Sequence, residues 1–194
     1  MLSDRLQLKL YLEPSPHFEL EALIPVFHRF IRDQVVPELL IDVVDYSHVP
    51  DGPGVVLIGH AADLYLGALD GALGLVYSRK RGGPGPEARL EDALRRLINV
   101  ARLLEQEPGL KLAFRTGELS LRLTDRLHAP NDDRTFADTR AEVEALFGRI
   151  YGGSVTVTRL AEPRGPLTLR IQAGSTPSLD ALLEKLGGPP ERAS

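Results

Sequence analysis

The densest group of ionisable side chains in this 194-residue chain is a set of aspartates and histidines between positions 42 and 63. Asp45, His48 and Asp51 fall within or beside one turn-rich loop, where carboxylate and imidazole groups could bind a divalent metal. His60 comes after the next apolar segment. If the apolar segments on either side of the loop pair as a hairpin, His60 lies about 15 Å from His48. A metal site would therefore use one of these histidines, and the alternative is that neither is a ligand.

A second polar cluster combines a histidine with acidic residues just before a helical pattern. His128 with Asp132 could form a metal pair, or a general base with the carboxylate that orients it. The alternative is structural, because an aspartate immediately before a helix is a favoured N-cap. The sequence leaves both interpretations open.

Three consecutive cations, Arg79, Lys80 and Arg81, precede a glycine-rich connector and the predicted start of a long helix. Cationic side chains next to the free amides of a helix N-terminus favour binding of a phosphate or carboxylate. The alternative is a solvated strand end whose charges prevent edge-to-edge association. We take these three residues as the candidate ligand-binding cluster.

Composition excludes several classes of function. The chain has no cysteine, which excludes disulfides, thiolate metal sites and a cysteine nucleophile, and it has no Gly-x-Ser-x-Gly or His-Glu-x-x-His motif. We therefore predict no cofactor beyond a possible divalent metal. A net charge of −4 and the absence of tryptophan argue against nucleic-acid binding. No apolar run approaches the roughly 20 residues of a membrane helix, so we expect no membrane contact and a cytoplasmic protein.

Alternating and helical apolar patterns predict an α+β fold with a mixed sheet and helices on one side. Residues 39–44 read as a mostly apolar strand, which predicts a central position in the sheet. Residues 110–115 and 118–124, separated by Thr116-Gly117, predict a hairpin. Strict alternation predicts one buried face for a set of residues in the second half. This set is Leu119, Leu121, Leu123, Val155, Val157, Leu167, Leu169 and Ile171.

The order strand–helix–strand–strand occurs twice, which suggests two β-α-β-β halves and an internal duplication. We place the first half at 1–81, the connector and long helix at 82–109, the second half at 110–188 and a frayed tail at 189–194. The whole is expected to be a single globular unit.

These features favour a non-catalytic module that binds a small anionic ligand or a protein partner, and that self-associates as a homodimer. One alternative is an enzyme with a His/Asp metal or acid–base site. Another is a subunit of an assembly, or a scaffold.

Overall fold

A computed structural model describes residues 3–14, 18–50, 52–68, 71–160 and 164–190, and within them shows one eight-stranded sheet and four α-helices. The α+β prediction is confirmed. The elements are β1 (Leu6–Leu12), α1 (Leu23–Arg32, after a 3₁₀ turn at Leu20–Ala22), β2 (Leu40–Tyr46), β3 (Gly54–Gly59), β4 (Ala62–Gly67), β5 (Gly74–Arg79), α2 (Arg89–Glu105), β6 (Phe114–Leu123), α3 (Asp133–Tyr151), β7 (Val155–Arg159), β8 (Leu167–Ala173) and α4 (Leu179–Lys185).

The strands lie in the order β2-β3-β4-β5-β1-β6-β8-β7, and every neighbouring pair is antiparallel. We expected a mixed sheet. The links between β2 and β5 are too short for the crossover that a parallel pair requires, so these strands form a meander of hairpins.

Each half begins with a strand and a helix. Antiparallel strands follow, and the last of them pairs with the first strand of the same half. In the first half the last strand of the meander, β5, pairs with β1, and in the second half β8 pairs with β6. The first strands of the two halves, β1 and β6, are antiparallel neighbours and join the halves into one sheet. The first half has two strands, β4 and β5, beyond the β-α-β-β order. Internal duplication stays a prediction.

The core lies between one face of the sheet and the helices. Leucines at alternate positions of β1 point into it, as the period of a half-buried strand requires. The predicted buried face of the second half is confirmed, because seven of its eight residues are buried and the eighth, Val155, is partly buried against the same core.

The predicted hairpin at residues 110–124 is wrong, because β6 is one strand that runs through Thr116 and Gly117. Its register against β1 jumps from Leu10–Leu119 to Leu12–Phe114. Between these two pairs β1 advances by two residues and β6 by five. The three extra residues of β6 form a bulge. A glycine in a strand often marks such a bulge rather than a turn.

The predicted central position of residues 39–44 is also wrong, because β2 is an outermost strand and pairs only with β3. Its apolar content led to the wrong prediction: in a buried parallel strand such residues pack on both faces. Here Leu39 and Ile41 are instead exposed to solvent, with 69% and 57% of their surface accessible.

Candidate functional site

Arg79, the first residue of the predicted anion site, is engaged inside the protein. It ends β5 and lies opposite Leu6 and Ala62, so its side chain shares the helix-facing side of the sheet. The residue is only 3% exposed. Its guanidinium forms an ion pair with Asp92 of α2 and donates to the Arg89 carbonyl at 3.1 Å.

The other two cations of this cluster lie in different environments. The Lys80 ammonium donates to the Asp63 carboxylate at 2.6 Å and to the Gly59 carbonyl at 2.8 Å. Arg81 is exposed, and no hydrogen bond or ion pair joins its side chain to another described residue. Two of the three charges are therefore already compensated internally. Anion binding by Arg79, Lys80 and Arg81 stays a prediction.

The Arg79–Asp92 pair continues into a network that holds the beginning of β2. Arg96 donates to Asp92 at 3.0 Å, to the Pro37 carbonyl at 3.0 Å and to Glu38 at 3.4 Å. The Glu38 carboxylate also accepts the N–H of Ala61 at 3.2 Å. Burial raises the pKa of Glu38, while the Arg96 charge and the Ala61 hydrogen bond oppose that rise.

In the first predicted metal cluster, Asp45 is engaged with its own turn. Its carboxylate accepts the Ser47 N–H at 2.8 Å. The hydrogen bonds from Ser47, together with the nearby charge of His48, lower the pKa of Asp45. Asp51 lies outside the described residues. The N–H of His60 donates to the Leu39 carbonyl at 2.8 Å, which confirms the predicted position of His60 at the far end of the hairpin.

In the second cluster, Asp132 is the N-cap of α3 and accepts the Thr135 N–H at 2.8 Å. His128 is held by a residue that sequence analysis missed, since its Nδ1 lies 2.8 Å from the Asp125 carboxylate. The hydrogen bond from His128 lowers the pKa of Asp125. The (i, i+3) spacing of these two residues in a turn was the available signal.

His128 also lies at a cavity of about 400 Å³ between the N-terminal half of α3, the end of β6 and Ser3, which precedes β1. In the ranges that the structure describes, no three His, Asp or Glu side chains come close enough to share a metal ion. Metal binding by His48 with Asp45 and Asp51, or by His128 with Asp132, stays a prediction.

The surface around β2 was not predicted from the sequence. Among the described residues, five large apolar side chains are exposed, and four of these lie between positions 39 and 49. We define the β2 edge surface by these four residues and the two aspartates of the strand. Its members are Leu39, Ile41, Asp42, Asp45, Tyr46 and Val49.

The free edge of β2 has a defined polar pattern. The Val43 N–H donates to the Asp42 carboxylate at 2.8 Å. Because a ladder amide would donate to a carbonyl of β3, this bond indicates that the Val43 N–H points away from the sheet. No ion pair joins Asp42 or Asp45 to any described residue, although the nearby charge of His48 acts on Asp45.

A cleft of about 260 Å³ opens beside the start of β2, between this strand and the end of α1. Its walls combine apolar residues with two polar ones, Gln34 and Glu38. The lining residues are Ile31, Gln34, Val36, Pro37, Glu38, Leu39 and Leu40.

Comparison with protein-family models and with curated protein sequences finds no significant match for this chain. None of the helices in the described part of the chain is both long enough and apolar enough to cross a membrane.

Proposed function

We propose that this protein is a non-catalytic module that binds a protein partner along the β2 edge surface. The observation that carries this proposal is the concentration of exposed apolar side chains within and immediately beside one outer strand. Apolar groups that gather in one patch mark interaction sites more often than apolar groups scattered singly over a surface.

The geometry of an outer strand adds to this argument. A strand with a neighbour on one side only presents a row of free N–H and C=O groups, to which an extended segment of another protein can bind. In that mode the backbone hydrogen bonds provide affinity, and pockets for alternate side chains provide specificity. The cleft that includes Leu39 and Leu40 is positioned to receive one such side chain.

A small anionic ligand is less well supported than a protein partner. Arg79 and Lys80, two of the three cations that would hold it, already bind Asp92 and Asp63. An anion would have to displace a carboxylate in each case, at a cost to the packing of α2 and β4.

The test compares binding by the wild-type chain and by a Leu39→Ser/Ile41→Ser variant, each used to capture proteins from extracts of its own source cells. Both residues are exposed, so their replacement should change the free energy of unfolding by about 0.5 kcal/mol or less. Quantitative mass spectrometry should show a partner that the wild type retains and the variant loses.

Leu127→Ser is the matched control, because Leu127 is 85% exposed and lies away from β2. The control should retain the partner at the wild-type level. Equal capture by all three proteins would contradict the proposal, and so would equal loss from both variants.

A second candidate function is general acid–base catalysis at His128. The observation that favours it is the contact of 2.8 Å with Asp125 beside a cavity of about 400 Å³. A base oriented by a carboxylate is the arrangement that such catalysis uses. Slow hydrolysis of nitrophenyl ester or phosphoester substrates, lost in His128→Ala and Asp125→Ala, would support this function. Turnover unaffected by either change would exclude it.

A further inference from the structure

We infer that the partner is an extended segment that pairs with β2 and carries two basic side chains three positions apart. This inference rests on the proposed function. The two aspartates of β2 indicate this pattern. Asp42 lies opposite Ile58 and Asp45 lies opposite Val55 in the β2–β3 register. Side chains alternate between the faces of a strand, so residues three apart point to opposite faces.

The neighbours of the two aspartates assign the faces. Val55 belongs to the core beneath the helices, which places Asp45 at the margin of the helix-covered face. Val56 belongs to a small apolar cluster with Tyr65 and Val76 on the opposite face. Asp42 is next to Val43 in the strand, whose side chain packs against the core, so the Asp42 side chain points to this opposite face. A partner strand thus meets one carboxylate on each face.

A second copy of β2 is a poor occupant of this edge. Antiparallel pairing of two copies would place four carboxylates in a seam of seven residues. In a register that sets Asp42 opposite Asp42, or Asp45 opposite Asp45, the Cβ atoms of that pair are about 5 Å apart, and like charges at that distance are destabilising. The bulge at Ile41 adds to this effect, because an irregular edge hinders pairing with an identical strand.

A basic strand meets none of these obstacles. Its backbone carbonyl would replace the Asp42 carboxylate as the acceptor of the Val43 N–H, so the hydrogen bond is exchanged and not lost. The released carboxylate would then accept a lysine or arginine of the partner. Asp45, whose carboxylate is held by Ser47, would meet the second cation on the other face.

The probe is the nine-residue peptide Thr-Val-Lys-Val-Thr-Lys-Val-Thr-Val, with its lysines three positions apart. The first control has the same composition with the lysines two positions apart, so that both point to one face. The second control has glutamate in place of each lysine. Binding to the full chain is measured by amide chemical shifts and by hydrogen exchange at moderate ionic strength.

We expect the probe to slow exchange of the Val43 N–H and to bind about threefold more tightly than the two-apart peptide, because only one of that peptide's lysines can reach an aspartate. The glutamate peptide should bind more weakly than both. Asp42→Asn/Asp45→Asn, which preserves side-chain shape, should remove the preference for lysine, and high salt should reduce it.

Equal binding of the three peptides, or an unchanged preference in the double variant, would overturn the inference. Slowed exchange of the Val43 N–H in the protein alone, growing with its concentration, would also overturn it and identify a second copy as the occupant. If the captured partner depends on Leu39 and Ile41 but binds independently of Asp42 and Asp45, the proposed function stands and only the basic pattern is wrong.

Discussion

At the scale of single residues, one hydrogen bond holds the first turn of α3, since the Asp132 carboxylate accepts the Thr135 N–H at 2.8 Å. Capping was one of the two roles that the sequence left open for Asp132. The pairing of His128 with Asp125 was missed, because it depends on the path of a turn that no periodicity specifies. The environments of Arg79 and Lys80 were equally hidden, since their partners lie 13 and 17 positions away in the chain.

The cap of α3 gives a direct prediction. Asp132→Ala should lower the free energy of unfolding by about 1 kcal/mol, because the Thr135 N–H loses its acceptor. Asp132→Asn is the control and should be close to the wild type, since asparagine caps a helix equally well. Urea unfolding followed by circular dichroism measures both. Equal stability of the alanine and asparagine variants would contradict the capping role.

Glu38 gives a prediction about pH. Because burial raises its pKa, the folded protein binds this proton more tightly than the unfolded chain does. Stability associated with Glu38 is therefore greatest at low pH and falls as pH rises from about the ordinary value of 4.5 through the raised pKa. Glu38→Gln should remove this decline while its amide oxygen still accepts the Ala61 N–H.

The measurement is the melting temperature of wild type and variant between pH 4 and pH 7. The melting temperature of the Glu38→Gln variant should rise relative to that of the wild type as pH rises. Glu87→Gln is the control for replacing a carboxylate by an amide at an exposed position. A Glu38→Gln variant that loses relative stability with rising pH would show that the Arg96 contact outweighs burial.

At the scale of elements, alternation placed the strands and helices well but did not place strands within the sheet. Thr116-Gly117 looks like a turn in the sequence, and only pairing with β1 turns it into a bulge. The sequence also did not predict the outer position of β2, because apolar residues occur both in a buried strand and on an interaction surface. Order in a sheet is decided by contacts between distant segments.

The ion pair between Arg79 and Asp92 should anchor α2 to β5. The Arg79 side chain is 2% exposed, so Asp92→Ala leaves a buried charge without its carboxylate and should cost about 3 kcal/mol. Arg79→Met/Asp92→Leu removes both charges and should cost less than half as much. Chemical unfolding of the two variants tests this account. A double variant as unstable as the single one would contradict the role assigned to the buried charge.

At the scale of the whole molecule, the two halves share one continuous sheet, and helices cover only one of its faces. The sequence predicted this class of fold because apolar periodicity reports which face of each element is buried. It did not indicate a binding surface, because exposure is a property of the assembled sheet. The predicted homodimer stays a prediction, and the carboxylates of β2 argue against that strand as its interface.

The central claim is that a protein partner lies against the β2 edge surface in the cell. The most direct measurement is site-specific photo-cross-linking, with a benzophenone amino acid at position 41 and, as the control, at position 127. Both positions hold exposed apolar residues in the native chain, Ile41 and Leu127. The account predicts a discrete cross-linked partner at position 41 and none at 127. The same products from both positions, or a cross-linked homodimer at 41, would contradict it.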